Sequence, residues 1–187
     1  MKLGKPIRFI LSFLFVSLIF FSQSAWALTL SATIEGVRQG VIEGDNTERG
    51  QEKTILLRGF GHNMFQPVDP NTLMISGRIM TQPFKVLKNF DKSSPKLLQA
   101  MVTGETLKSV LIKLFDNDPQ TGVSRHFYTI ELLNGMISSI ASTGIASTGN
   151  DSSIGAEEVV GFTFQIIRLT DVLNGTTAEY TPSVPLN

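Results

Sequence analysis

The chain has 187 residues, with sixteen basic and sixteen acidic residues, two histidines and no cysteine. The lack of cysteine excludes a disulfide framework and thiol chemistry. Residues 1–27 hold three of the basic residues and no acidic one, so residues 28–187 carry a net charge of −3, which argues against nucleic-acid binding. That remaining length suits one domain with a sizeable core.

The first 27 residues have the layout of a cleavable export signal. Three basic residues precede an apolar run at Phe9–Phe21, and residues 25–27 read Ala-Trp-Ala, the small-x-small pattern that signal peptidase cleaves. The run is shorter than the roughly 20 residues of a membrane-spanning helix, so an uncleaved anchor is the less favoured alternative. We therefore predict a signal peptide at residues 1–27 and a secreted mature protein without a membrane segment.

Short apolar segments dominate the rest of the chain and predict β-strands. Leu28–Ile34 alternates strictly between apolar and polar residues, as a half-buried strand does. Further strands are predicted at Thr54–Phe60, Leu73–Met80, Phe84–Leu87, Leu107–Phe115, His126–Leu133 and Val160–Leu169. Residues 36–53 and 61–71 are predicted loops. The domain is expected to span residues 28–175, and residues 176–187 are expected to be a disordered tail.

One helix is predicted in the middle of the chain. Ser94 is a suitable N-cap, Pro95 fits the first helical position, and Gly104 is placed to end the helix. Three apolar residues recur at helical spacing and should form its packed face: Leu97, Leu98 and Met101. Many short strands with a single helix predict a mainly β domain, either a closed barrel or a sandwich.

Asn134-Gly135 leaves two alternatives open. The dipeptide is a strong hairpin signal, which would separate two strands. The following residues, Met136–Ile140, could equally continue the preceding strand past a bulge.

The sequence predicts no catalytic, cofactor or metal site. His62 and His126 each lack further ligands at metal-binding spacing. Residues 116–118 read Asp-Asn-Asp, like the start of a calcium loop, but the next ligand, the glycine and the closing glutamate are missing. No nucleophile elbow, phosphate loop or zinc-helix motif occurs. A secreted hydrolase on a β-scaffold is therefore the least favoured hypothesis.

A specific motif lies between Gly77-Arg78-Ile79 and the end of the predicted helix. Its members, at and after the helix start, are Asp91, Lys92, Ser93, Ser94, Pro95, Leu97, Leu98 and Gly104. Together with the order of the flanking strands from about Leu28 to Thr170, this motif resembles the Hcp family. These haemolysin-coregulated proteins form the inner tube of type VI secretion systems.

The resemblance implies a two-sheet β-barrel with one flanking α-helix, and it favours the bulge at Asn134-Gly135. It also implies hexameric rings that stack into a hollow tube. The implied partners are other copies of the chain, spike and sheath proteins, and small effectors carried in the lumen. It implies no catalytic residues.

Two surfaces are candidates for assembly. Residues 61–76 correspond to the extended loop of the family, and its candidate ring-stacking residues are His62, Met64, Phe65 and Met74. Packing of this loop on its own barrel is the alternative. The candidate ring side surface comprises Leu111, Phe115, Ile167 and Leu169, and a second core layer is the alternative for these residues.

The export signal departs from the family pattern, because tube proteins usually lack one and assemble in the cytoplasm. We favour a structural tube subunit of a type VI secretion system. The alternative is an exported Hcp-like ring or binding module that acts outside the cell without a contractile sheath.

Overall fold

The computed structural model describes residues 28–118, 121, 123–145 and 155–182, so the export signal predicted at residues 1–27 lies outside the described residues. The strands in chain order are β1 Thr29–Gly36, β2 Gly40–Ile42, β3 Ile55–Gly61, β4 Met64–Phe65, β5 Met80–Thr81, β6 Phe84–Asn89, β7 Leu107–Asn117, β8 Ser124–Ile145, β9 Gly155–Thr163, β10 Ile166–Asp171 and β11 Thr176–Tyr180. Helix α1 spans Ser94–Val102. No described helix is long and apolar enough to cross a lipid bilayer.

Six of the strands close into an antiparallel barrel. Their order is β8–β7–β1–β3–β6–β9, and β8 completes the circle by pairing with β9. Strands β10 and β11 extend the sheet outward from the first half of β8. Closure pairs the strand edges that an open sheet would expose. The predicted mainly β barrel with one helix is confirmed.

Strand β8 serves two walls of the barrel because it bends at Asn134-Gly135. The residues before the bend pair with β7, and Met136–Ile145 pairs with β9. Asn134 adopts a left-handed conformation with φ 51°. A Cβ on Gly135 would lie 2.4 Å from the carbonyl oxygen of Thr163, so the backbones approach too closely there for a side chain. One continuous bent strand replaces the hairpin alternative.

The core lies inside the barrel and is built from alternate strand residues. In β1 the apolar residues Leu30, Ala32 and Ile34 are all buried, as their alternation predicts. The largest fully buried apolar side chains elsewhere are Phe84, Phe162, Ile42, Ile55, Leu97, Leu107, Ile112 and Leu132.

Helix α1 connects the end of β6 to the start of β7 and therefore lies at one end of the barrel. Leu97 and Ala100 are buried and Met101 packs against the core, whereas Leu98 is 52% exposed. The predicted packed face is wrong for Leu98, because a residue adjacent to Leu97 points about 100° around the helix.

The helix start is shifted by one residue from the prediction. Ser93 occupies the N-cap position, and Ser94 is the first helical residue. The Ser94 hydroxyl donates to the buried carboxylate of Glu158 at 2.6 Å and accepts a hydrogen bond from the backbone N–H of Asp91. Gly104 ends the helix with φ 58°, as predicted.

Two predicted strands are wrong, and two predicted loops contain short strands, one of which is β4 within residues 61–71. Residues 73–80 are not a strand: Ile75 forms only an isolated bridge with Val68, and Met80 alone enters β5. Residues 160–169 form the end of β9 and the start of β10, because the chain leaves β6 and the second half of β8 and pairs next with the first half of β8. The predicted loop at residues 36–53 contains β2, whose Ile42 is buried.

The tail predicted at residues 176–187 is also wrong over its first part, because residues 176–180 form strand β11. This strand pairs with β10 in the register Ile167 to Tyr180. Gly175, with φ 69°, completes the turn between the two strands, and Asp171 accepts hydrogen bonds from the turn backbone. Residues 183–187 lie outside the described part of the chain.

Candidate functional site

The helix-start motif surrounds a buried ammonium group. Lys88 of β6 is 1% exposed, and its Nζ lies 2.7 Å from Oε1 of Glu158 and 2.9 Å from Oδ1 of Asp91. The same Nζ donates hydrogen bonds to Ser94 Oγ and to the carbonyl of Asn89. A buried charge is tolerated when it is paired and hydrogen-bonded in this way. The cluster thus joins β6, β9 and the start of α1.

Asp91 shapes the turn that leads into the helix. Its Oδ1 accepts a hydrogen bond from the backbone N–H of Ser93 at 2.8 Å, and the Ser93 hydroxyl also donates to it. Burial alone would raise the pKa of Asp91, but hydrogen bonds from Ser93 and Lys88, together with the charge of Lys88, hold it below its ordinary value of 3.8. The motif therefore has a structural role, while Lys92, Pro95 and Leu98 face solvent.

A second carboxylate anchors the chain after the helix. Oε1 of Glu105 accepts hydrogen bonds from the backbone N–H groups of Arg38 and Gln39 at 2.7 and 2.8 Å. These hydrogen bonds, led by that of Gln39, lower the pKa of Glu105 and fix the turn between β1 and β2. No sequence pattern singles out Glu105 or Glu158, because their partners are 64 to 70 residues away in the chain.

The segment at residues 62–81, which includes most of the predicted extended loop at 61–76, projects an apolar tip into solvent. Leu73, Met74 and Ile75 are 80%, 71% and 66% exposed. At its base, β4 pairs with β5 as a separate two-stranded sheet. Of the predicted ring-stacking set, Met74 is 71% exposed at the tip, Phe65 is exposed in β4, and Met64 is partly exposed but also lines a cavity of the barrel.

His62, the fourth predicted stacking residue, lies with the barrel. Its ring centroid is 5.4 Å from those of Phe84 and Phe164. Desolvation lowers its pKa, against the opposing effect of a backbone hydrogen bond to Gln82. Among the described residues its buried Nε2 has no hydrogen-bond partner, and Phe164 lies edge-on to the ring. His62 therefore belongs to the packing at the loop base.

The four residues of the predicted ring side surface differ in burial. Ile167 is buried in the core, as the alternative of a second core layer expects, and Leu169 is half-buried and packs against it. The reason is that β10 continues the sheet over the end of the barrel, with these two side chains facing inward. Leu111 and Phe115 are half-buried.

An apolar cavity of about 350 Å³ opens beneath β10 and β11. It is lined mainly by apolar and aromatic side chains: Phe60, Met64, Phe84, Leu114, Tyr128, Ile130, Ile167, Leu169, Ala178 and Tyr180. Glu179 of β11 borders the cavity, but its carboxylate accepts hydrogen bonds from Arg168 on the opposite face of the sheet. No local pattern indicates the cavity, because seven strands from different parts of the chain form its walls.

The polar clusters of the described residues are structural. No group of three or more histidine, aspartate or glutamate side chains within the described ranges could hold a metal ion. At the tip between β7 and β8, Arg125 pairs with Asp116 at 2.9 Å and with Asp118 at 3.7 Å. His126 Nε2 lies 2.9 Å from the hydroxyl of Thr129, and desolvation lowers its pKa, with a smaller contribution from Lys113.

Comparison with known proteins identifies the family of this barrel. The family model described as "Type VI secretion system effector, Hcp" matches residues 32–170. The chain belongs to the Hcp family. It is a type VI secretion tube protein, and the expectation of a secreted protein is confirmed at the level of the family.

Individual relatives agree with this assignment. The "Major exported protein" of Pseudomonas aeruginosa is 30% identical over 158 residues, which cover 79% of this chain and 91% of the relative. A crystal structure of an Hcp protein superposes with a TM-score of 0.76 at 26% identity and covers 84% of this chain and 99% of its own. The secreted protein Hcp3 of Pseudomonas aeruginosa gives a TM-score of 0.67 at 25% identity, with 84% and 100% covered.

Proposed function

We propose that residues 28–187 form the mature subunit, which assembles into hexameric rings that stack into a hollow tube. The observation that carries this proposal is the extended loop on an Hcp barrel. Three consecutive apolar side chains, Leu73, Met74 and Ile75, stand in solvent at its tip. Contiguous exposed apolar side chains at one site are typical of a contact with another protein.

The subunit acts as a structural element and not as an enzyme. Its buried carboxylates, Asp91, Glu105 and Glu158, are all engaged by lysine, serine or backbone donors. The partners of the tube are further copies of the chain, a spike at the tip, a contractile sheath and small effector proteins in the lumen. No cofactor, metal ion or nucleic acid takes part.

Ring stacking is tested by changing the loop tip. We expect the Met74→Ser/Ile75→Ser variant of residues 28–187 to form rings but only short stacks in negative-stain electron microscopy, because the variant removes apolar area from the contact. Point changes are preferred to deletion of residues 62–74, which would also remove the packing of His62 on the barrel.

The matched control is Val123→Ser, at the tip between β7 and β8, where the side chain is 64% exposed. This control should stack like the parent. Stacks of parental length in the Met74→Ser/Ile75→Ser variant would contradict the role of the loop.

The export signal predicted at residues 1–27 favours a second function, an exported ring that works without a sheath. The two functions predict different amounts of extracellular protein from a host strain that lacks the contractile sheath. Loss of the extracellular protein from that strain supports the sheath-driven tube, and undiminished export supports the second function. In either case we expect the extracellular protein to begin near Leu28 on N-terminal sequencing, and a protein that still begins at Met1 would contradict cleavage.

A further inference from the structure

A pocket of about 360 Å³ lies between the start of α1 and the second half of β8. Most of its walls are apolar, from Phe90, Pro95, Leu98 and Ile140. Asp91 and Glu158 also line it, and Ser142 is exposed where the pocket meets solvent. Apolar walls with a few converging polar groups are typical of sites for small organic ligands.

The strand register directs the side chain of Glu158 into the barrel at this pocket. Glu158 is paired with Lys88 of β6 and with Ser142 of β8, and paired residues of neighbouring strands point to the same face of a sheet. That face is the interior one, because Val160, two residues further along β9, is fully buried. Glu158 itself is 3% exposed, so its carboxylate lies at the inner end of the pocket.

The carboxylate of Glu158 uses one of its two oxygens. Oε1 accepts hydrogen bonds from Lys88 Nζ at 2.7 Å and from Ser94 Oγ at 2.6 Å. Among the described residues no group donates to Oε2, and Oε2 is not one of the enclosed side-chain atoms that lack a partner. This oxygen is therefore open to the pocket and able to accept from a ligand.

The cluster around Glu158 lacks one positive charge. Glu158 and Asp91 share the single ammonium of Lys88, so the ionised cluster carries a net negative charge. Every basic residue of residues 28–187 lies in the described ranges, and of these Lys88 alone is within ion-pair distance of either carboxylate. A buried carboxylate without a full complement of cations is costly, so a cation that enters the pocket gains a favourable partner.

We propose that this pocket binds an organic ammonium ion with an apolar body. The ammonium donates a hydrogen bond to Oε2 of Glu158, and the side chains of Phe90 and Leu98 contact the apolar body. A metal ion is a poorer match, since no group of three or more histidine, aspartate or glutamate side chains in the described ranges could hold one. Ligand binding at this site goes beyond the structural role proposed above and does not depend on ring formation.

Isothermal titration calorimetry of residues 28–187 with benzylammonium, and with benzyl alcohol as its neutral counterpart, tests this site. We expect benzylammonium to bind at least about ten-fold more tightly than the alcohol, because hydrogen bonds between charged groups are the stronger ones. Equal affinities would overturn the proposal, since they would indicate an apolar pocket that does not sense charge. No detectable binding of benzylammonium at millimolar concentration would overturn it as well.

Glu158→Gln locates the binding. This variant keeps the shape of the side chain and removes its charge, so the affinity for benzylammonium should fall at least about ten-fold while that for benzyl alcohol stays at the parental value. The matched control is Glu157→Gln, on the opposite face of β9, where Glu157 pairs with Arg58. Equal effects of the two substitutions on benzylammonium binding would overturn the site. Light scattering reports separately whether each variant still assembles like the parent.

Ser142→Lys is a second variant that leaves the buried cluster intact. It places an ammonium directly opposite Glu158, so it should fill the pocket, abolish benzylammonium binding and raise the midpoint of thermal unfolding above that of Ser142→Gln. Parental benzylammonium binding in Ser142→Lys, or a midpoint no higher than that of Ser142→Gln, would overturn the proposal even if Glu158→Gln does not fold.

Discussion

At the scale of single residues, Lys88 is the group on which the attachment of α1 depends. Removing its ammonium would leave Glu158 and Asp91 close together and partly uncompensated in a buried site. We predict that Lys88→Ala lowers the free energy of unfolding of residues 28–187 by about 3–5 kcal/mol, as expected for breaking a buried ion pair. Chemical denaturation measures this loss.

The control for Lys88 is an exposed pair of the same kind. Lys108 Nζ lies 2.7 Å from Oε1 of Glu35, and both side chains are largely exposed. Lys108→Ala should cost only about 0–1 kcal/mol, because solvent screens the pair. Equal losses in the free energy of unfolding for Lys88→Ala and Lys108→Ala would mean that the buried cluster contributes no more than an exposed ion pair.

Asp91 makes stability depend on pH in a defined direction. Its pKa in the folded protein lies below 3.8, so the folded state favours the carboxylate. The stabilisation is therefore fully present above the unfolded pKa and is lost as the pH falls through the folded value. Asp91→Asn should be less stable than the parent at about pH 6, and the difference should shrink towards about pH 2. A difference that stays constant over this range in denaturation curves would contradict the role of the charge.

A substitution at Gly135 tests the close approach of its backbone to Thr163 at the bend of β8. Gly135→Ala would place a methyl group 2.4 Å from the Thr163 carbonyl oxygen, whereas Gly144→Ala, later in the same strand, meets no atom within 4 Å. We expect Gly135→Ala to lower the free energy of unfolding by about 1–3 kcal/mol. Gly144→Ala should leave it within about 0.5 kcal/mol. Similar midpoints of thermal unfolding for the two variants would contradict the steric explanation.

At the scale of elements, two adjacent leucines of α1 differ in burial and should differ in their contribution to stability. Leu97 is fully buried and Leu98 is 52% exposed. Leu97→Ala should lower the free energy of unfolding by about 2–5 kcal/mol, the usual cost of a cavity in a core. Leu98→Ala should change it by less than about 0.5 kcal/mol. Comparable losses by chemical denaturation would mean that the packed face of the helix is wrongly assigned.

Elements with a complete local signal are the ones that the sequence predicts correctly. The alternation in β1 and the glycine that ends α1 are local features, and both are confirmed. The split between β9 and β10 is not local, since β9 pairs with β6 and the second half of β8, whereas β10 pairs with the first half of β8. Strand β11 is stabilised by pairing with β10 and has no apolar alternation of its own.

At the scale of the whole molecule, family membership could be predicted but the assembly residues could be predicted only in part. Exposure of Met74 follows from its place in the extended loop, which the family resemblance indicates although the local pattern predicts a strand at residues 73–80. Burial of Ile167 follows from the position of β10 over the end of the barrel, a long-range arrangement that leaves no local pattern. The cavity arises in the same way, from strands that meet only when the barrel closes.

The central claim, that the mature chain is a ring subunit, is tested most directly by its mass in solution. Residues 28–187 should elute as a hexamer in size-exclusion chromatography with light scattering, because self-association covers the apolar surfaces that the single barrel leaves exposed. A protein that remains monomeric at high concentration, with native circular dichroism, would contradict the account.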